Sequence, residues 1–173
     1  MSISRRRAHE KTEVATSEFM RLRNYIFGST AAIVTNISLI VGLGSARAGK
    51  GPIIGSLLTI ALADNVSDSL GIHMYKETEG VGTRVSLLAT ALNFVARLLV
   101  SLTFVGIVLF LSVRQYVPVA IAWSLVLLGL TSYLVARRSG QSLVLETAKH
   151  LVVVIVAVGI SWYVGLLIAE YFR

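Results

Sequence analysis

Five apolar segments divide the chain, and each is long enough to cross a lipid bilayer. They cover residues 25–43, 52–74, 85–113, 117–136 and 148–169, and a membrane-spanning helix needs about 20 residues of this kind. The runs are continuous and do not alternate between apolar and polar positions, which favours helices over a transmembrane β-barrel. The pattern therefore predicts an all-α, polytopic membrane protein with five transmembrane helices.

Short polar breaks separate the segments. Residues 44–51, 77–84 and 137–140 form tight connections, and Pro52 fits the first turn of the second helix. Residues 114–116, followed by Pro118, predict a sharp turn between the third and fourth helices. The predicted organisation is a cytoplasmic tail at 1–23, with an amphipathic helix that rests on lipid headgroups, and a transmembrane domain at 24–173.

Composition and charge narrow the class further. The chain is 55% hydrophobic and only 14% charged, which excludes an intrinsically disordered protein. It contains no cysteine, which excludes disulfides, thiol catalysis and Cys-ligated metal centres. Nothing in the sequence indicates an enzyme.

The net charge of +7 is distributed unevenly across the predicted membrane. Eleven of the 16 Lys and Arg residues lie on the side of the N-terminal tail and four on the other side. The positive-inside rule then predicts a cytoplasmic N-terminus. The charge is expected to meet anionic membrane lipid rather than nucleic acid. Small size and the lack of cysteine favour a prokaryotic plasma membrane.

The chemistry of the chain is concentrated in the second predicted helix. Asp64 and Asp68 are four residues apart and share one helix face. Tyr75 is expected on the same face, with Asn65 at its edge. Ionisable groups inside a span are expensive and usually line a pathway. Two carboxylates at this spacing can bind a divalent cation or exchange protons; the alternatives are a structural ion pair or the polar end of a helix.

Three other features belong to the candidate site. Arg97 lies midway along the third predicted helix and is expected to act as an internal counter-ion for the carboxylates. His73, Met74 and Glu77 lie at the cytoplasmic end of the second helix, where a divalent metal ion would enter; an ordinary polar helix end is the alternative. The polar residues of the first helix are more typical of hydrogen bonds between helices, and Asn36 is assigned a supporting role among them.

Three segments resemble the vacuolar iron transporter family of iron and manganese transporters. They are RLRNYIFGST at 21–30, ALADNVSDS at 61–69 and ARRSGQS at 136–142. The resemblance runs from residue 21 to the end of the chain and includes the number of helices. It implies a homodimer of ten helices with a path near the dimer axis. It also implies export of divalent iron or manganese from the cytosol in exchange for protons.

The sequence departs from the family pattern at several metal-binding positions. The family's second-helix Glu falls on Asp64, which keeps a carboxylate, and the following Tyr falls on Asn65. The family's Met falls on Ile60 and its first-helix Asp falls on Ala31. The Glu-rich cytoplasmic insert of many members is replaced by the short connection at 77–84.

Two functions follow from these observations. The first is a proton-coupled transporter with a divalent cation as substrate and no permanently bound cofactor. In this interpretation Asp64 and Asp68 bind the ion or exchange protons, with Asn65, Tyr75 and Asn36 as supporting polar groups. The second is a non-transporting scaffold, or a subunit of a larger membrane complex, in which Arg97 holds the carboxylates in a static bridge.

Overall fold

The computed structural model describes residues 28–78, 80, 82–139 and 142–172, so the predicted N-terminal tail and its helix lie outside the described residues. The described ranges contain helices and turns but no strand. Five of the helices are long and apolar enough to span a membrane. They are α1 (Gly28–Ser45), α2 (Lys50–Thr78), α3 (Thr83–Phe110), α4 (Val113–Ser139) and α5 (Leu143–Tyr171). The predicted all-α, multi-pass membrane architecture is confirmed.

The turn between α1 and α2 is closed by backbone hydrogen bonds. The N–H of Ala48 donates to the carbonyl of Leu43, and the N–H of Arg47 donates to that of Gly44. This is a Schellman motif, in which the residue after the helix adopts a left-handed conformation. Arg47 occupies that position with a φ of 60°. Pro52 lies in the first turn of α2, as predicted.

The start of α4 differs from the prediction. The turn consists of Leu111 and Ser112, and α4 continues through Pro118, which lies inside it. The physical reason is a helix N-cap at Ser112, which Gln115 closes with its half of a capping box. The Ser112 carbonyl accepts from the N–H of Tyr116 at 3.0 Å. The Gln115 side chain accepts from the Ser112 N–H at 3.3 Å and from its hydroxyl at 2.7 Å.

A π-helical turn at Ile60–Asp64 interrupts α2 at its centre. Ile53, Leu57, Ala61, Asn65 and Ser69 are all buried, and each is four residues from the next. A regular α-helix turns about 100° per residue, so residues spaced by four form a row that rotates around the helix by roughly 40° from each residue to the next. We call the row of buried residues on α2 its buried stripe. The wider turn takes up an extra residue. It therefore keeps the buried stripe on one side of α2 through the middle of the helix.

The first helix lies at the centre of the bundle. Its Asn36 bonds to Ser101 of α3, and the hydroxyl of Ser45 donates to the Trp162 carbonyl of α5 at 3.1 Å. Beyond these contacts, α2 packs along α3, and α4 packs against both α3 and α5. The apolar core includes the following residues: Ile33, Ile37, Ile40, Ile53, Leu57, Phe104, Val108 and Leu128.

The outer surface of the bundle is apolar. Large hydrophobic side chains are exposed along α2, α3, α4 and α5, and α5 is the least buried of the five spans. A soluble protein rarely exposes so much contiguous apolar surface. These faces are suited to lipid and to other transmembrane helices.

Candidate functional site

Arg97 of α3 joins the two carboxylates of α2. Its Nη2 donates to Asp64 Oδ2 at 2.5 Å. Its Nη1 lies 2.5 Å from Asp68 Oδ2, in an ion pair that lacks the alignment of a hydrogen bond. The sequence-predicted counter-ion and both predicted carboxylates therefore form one cluster, the acid–arginine cluster. If all three groups are ionised, its formal charge is −1.

Asn65 fixes the position of the guanidinium. Its Oδ1 accepts from Arg97 Nε at 2.7 Å, and its Nδ2 donates to the Phe94 carbonyl of α3 at 3.3 Å. The amide is buried, whereas Asp64 and Asp68 stand on either side of it along the helix. Asn65 thus holds the Arg97 side chain beside the two carboxylates and ties it to α2.

The cluster lies at the midpoint of both helices and at the edge of the bundle. Asp64 is the middle residue of α2, and Arg97 lies at the middle of α3. The Arg97 side chain is only 4% exposed, but those of Asp64 and Asp68 are 43% and 40% exposed. The positive group is therefore inside the protein, and the negative groups reach its outer surface.

The polar contacts between α2 and α3 continue toward the turn that joins them. His73 Nδ1 lies 2.9 Å from the Ser86 hydroxyl, and His73 Nε2 lies 3.3 Å from Glu77 Oε1. Met74, the third residue of the predicted metal-entrance group, is 60% exposed and does not share the buried side of His73. We call the acid–arginine cluster, its Asn65 and the His73–Ser86 contact together the polar seam. Its members are Asp64, Asn65, Asp68, His73, Ser86 and Arg97.

Two predicted supporting residues lie apart from the carboxylates. Asn36 is fully buried on α1, where its Nδ2 donates to the Ala32 carbonyl at 2.7 Å and to Ser101 Oγ at 2.9 Å. Tyr75 is 57% exposed, roughly 10 Å beyond Asp68 along α2. Its ring lies 5.5 Å from the Lys76 ammonium group. The structure therefore brings Asn65 into the cluster but places Asn36 and Tyr75 outside it.

The cluster has the chemistry of a cation- or proton-exchanging group. Within the described residues, no three His, Cys, Asp or Glu side chains come together in a way that could hold a metal ion. A cation bound to Asp64 and Asp68 would need ligands beyond those of this site. A proton needs only one carboxylate oxygen.

The predicted site residues do not include Asn93, although it shares a helix face with Arg97. Asn93, Arg97 and Ser101 are spaced by four residues on the buried side of α3. Asn93 is 0% exposed, and within the described part of the chain neither polar atom of its side chain has a hydrogen-bond partner. The four-residue spacing places Asn93 on the face of Arg97, but its burial and lack of a partner are visible only in the structure.

A second polar group joins α4 and α5 outside the seam. The fully buried Ser132 hydroxyl lies 3.0 Å from His150 Nδ1. One turn earlier on α5, the buried Glu146 accepts from Lys149 Nζ at 2.8 Å. The Ser132–His150 contact attaches the first part of α5 to α4, whereas the Glu146–Lys149 pair lies within α5.

Comparisons with family models, with curated proteins and with solved structures find no match to this chain.

Proposed function

We propose that this protein is a proton-coupled transporter of a divalent cation, of the iron or manganese type, that exports its substrate from the cytosol. The observation that carries the proposal is the acid–arginine cluster. Two half-exposed carboxylates at the centre of a transmembrane helix share one buried arginine.

Placing carboxylates at this depth is costly unless they serve a pathway or a partner. An Asp at the centre of a spanning helix disfavours membrane insertion by about 2.5–3.5 kcal/mol on translocon-based scales. Arg97 offsets the charge of one carboxylate and leaves the cluster negative. A proton or metal cation that reaches Asp64 and Asp68 competes with Arg97 for the same oxygens. Exchange of one cation for another at this point is the elementary step of coupled transport.

The polar seam supports a route to the cluster from one side. His73 lies nine residues from Asp64, or roughly 14 Å along the helix axis. Together with Glu77 it offers imidazole and carboxylate groups near the α2–α3 turn. We assign this turn and the N-terminus to the cytoplasmic side, in agreement with the charge distribution.

The exposed side of α2 supports a homodimer. Six small residues on this helix are exposed and follow one another at intervals of four. They are Gly51, Gly55, Thr59, Ala63, Ser67 and Gly71, and we call them the small-residue face. Small residues at this spacing allow two transmembrane helices to pack closely. A second copy would cover Asp64 and Asp68 and could complete the ligands of a substrate cation.

A non-transporting scaffold, or a subunit of a larger membrane complex, is the second candidate. The bridge from Arg97 to both carboxylates favours it, because such a bridge can be purely structural. In this alternative the cluster stabilises the α2–α3 pair and carries no ion.

Flux in proteoliposomes tests the proposal. Purified protein would be reconstituted with an enclosed divalent-ion dye and assayed with iron(II), manganese, cobalt and zinc, with and without a pH gradient. Asp64→Asn and Asp68→Asn each neutralise one carboxylate, and we expect either change to reduce flux at least tenfold. Glu170→Gln is the matched control, since it makes the same chemical change at the exposed end of α5. It should leave flux unchanged.

The two candidates predict different results. Metal flux that depends on Asp64 and on the pH gradient would support the transporter. A folded protein that carries none of the four ions, and whose Asp variants lose only thermal stability, would overturn it in favour of the scaffold.

A further inference from the structure

The buried Asn93 is an unexplained polar group beside the acid–arginine cluster. Its carboxamide is 0% exposed, and in the described part of the chain neither Oδ1 nor Nδ2 has a hydrogen-bond partner. A buried polar group without a partner destabilises the fold. Such a group in a native structure requires an explanation, and a role in another state of the protein is one.

Asn93 lies within reach of Arg97. The two residues are one turn apart on α3, and side chains on a helix lean toward its N-terminus, which is the direction of Asn93 from Arg97. Gly28 of α1 adjoins both: a Cβ there would overlap Asn93 Oδ1 and come within 3.2 Å of Arg97 Cγ. The amide oxygen and the base of the arginine side chain therefore border the same point on α1.

Arg97 needs another hydrogen-bond acceptor when the carboxylates of the cluster are neutralised. When Asp64 and Asp68 take up a proton or a metal cation, Arg97 loses the negative charges that hold it. The arginine remains 4% exposed, so solvent cannot replace them. A guanidinium has five N–H donors and requires acceptors wherever it is buried.

We propose that Asn93 is a positioning residue that accepts the Arg97 guanidinium when Asp64 and Asp68 are neutralised. This inference rests on the proposed function, because it gives the arginine a place to go during cation exchange. In the charged state Arg97 binds α2, and Asn93 is unpartnered. In the neutralised state Arg97 bonds to Asn93 Oδ1, and the carboxylates are free to hold their cation.

A thermodynamic mutant cycle, which compares the effect of one substitution in two backgrounds, tests the inference without measuring transport. Asp64→Asn with Asp68→Asn mimics the neutralised state, and Asn93→Leu removes the acceptor while nearly keeping its shape. Melting temperatures would be measured on the purified full chain in detergent. Asn93→Leu should leave the melting temperature of the wild type unchanged or higher, because it removes an unpartnered amide. In the doubly neutralised background the same change should lower it.

Ser38→Ala is the control for the cycle. Ser38 has a buried hydroxyl that is also unpartnered in the described residues, but it lies on α1 and is not spaced to meet Arg97. Its effect on the melting temperature should be the same in both backgrounds. An effect of Asn93→Leu that is also the same in both backgrounds would overturn the inference.

A second variant covers the case in which the triple variant does not fold. Asn93→Asp, added to the doubly neutralised protein, places a carboxylate at the proposed acceptor position. It should raise the melting temperature and the yield of folded protein, since Arg97 regains an ion pair. A further loss of stability would mean that the guanidinium does not reach residue 93, and would overturn the inference.

The flux assay separates this inference from the proposed function. If Asp64→Asn abolishes flux but Asn93→Leu changes the melting temperature equally in both backgrounds, the transporter proposal is supported and the proposed role of Asn93 is wrong. If the effect of Asn93→Leu differs between the two backgrounds but no ion is carried, the contact of Arg97 with Asn93 is supported and the transporter proposal is wrong. If both hold, Asn93→Leu should slow flux on the order of tenfold, within the range typical of coupling between linked states.

Discussion

Arg97 contacts three residues of α2, and each contact uses a different nitrogen of its guanidinium. The planar group presents its donors in a fixed fork, which lets it bind Asp64, Asn65 and Asp68 together. A lysine has one compact ammonium group and cannot span all three. The residue type at this position thus determines how firmly α2 is held to α3.

We expect Arg97→Leu to destabilise the protein by about 1–3 kcal/mol. Breaking a fully buried ion pair costs about 3–5 kcal/mol, and the partial exposure of the carboxylates reduces the loss. Arg97→Lys should recover part of the stability, since it keeps the charge but not the fork. Thermal melting of the two variants checks this, and equal melting temperatures for Leu, Lys and wild type would contradict it.

The sequence allowed part of this site to be predicted. Asp64, Asp68 and Arg97 could be found because charged residues inside apolar spans are rare and the two Asp residues share a face. The contact between His73 and Ser86 could not be found, because it depends on the register of α2 against α3. Asn36 was grouped with the site by polarity alone, and its hydrogen bonds go to α1 and α3.

At the scale of the helices, the π-helical turn in α2 behaves as a single extra residue. Deleting one residue from such a turn restores a regular α-helix and keeps the flanking segments in register. Deleting a residue from a regular stretch instead rotates everything beyond it by about 100°.

We therefore expect deletion of Leu62 to leave a folded protein and deletion of Leu70, six residues past the turn, to destabilise it. Both side chains are exposed apolar residues of α2, so they form a matched pair. The monodisperse fraction after detergent extraction, together with the melting temperature, distinguishes them. Equal damage from the two deletions would show that the turn does not take up the residue.

Close packing between α1 and α5 depends on Gly165. A Cβ there would overlap Ser45 Oγ and the Gly42 carbonyl oxygen, and the second of these is backbone that cannot turn away. We expect Gly165→Ala to lower stability by about 1–3 kcal/mol through overpacking. Gly159→Ala on the same helix is the control, because a Cβ there meets nothing within 4 Å. Thermal unfolding of both variants is the measurement, and a harmless Gly165→Ala would contradict the packing.

The ends of the helices were harder to predict than their number. Apolar length is enough to count the spans, but Pro118 suggested a break that the structure does not have. The serine and glutamine that cap α4 are present in the sequence, but the prediction of a turn rested on residues 114–116 and Pro118 alone. Pro118 is the sixth residue of α4, so it removes only the bond that an N–H at this position would donate to the Arg114 carbonyl, and the cap before it is kept.

At the scale of the whole molecule, the small-residue face differs from the rest of the described surface of the bundle. The other exposed helix surfaces carry large apolar side chains suited to lipid. An open groove of about 570 Å³ between α1 and α2 adjoins this face at Gly55 and Thr59. A second helix could therefore approach α2 closely along this face.

If the protein dimerises through this face, Gly55→Leu should shift it toward the monomer. The larger side chain separates the helices but remains compatible with lipid, so the fold should survive. Gly159→Leu, on α5, adds the same side chain in open space away from the face. Light scattering on the detergent-solubilised protein measures the mass of each. A dimer that persists in Gly55→Leu would place the interface elsewhere.

The pairing of α2 with α3 also bears on how the chain enters the membrane during synthesis. The second helix is the least apolar of the five spans and carries two carboxylates near its centre, whereas the arginine that offsets them lies on the next helix to be made. Alone, α2 is a poor substrate for the insertion machinery. The two helices are therefore expected to leave the translocon together as a hairpin, so that partitioning of the second helix into lipid awaits translation of the third.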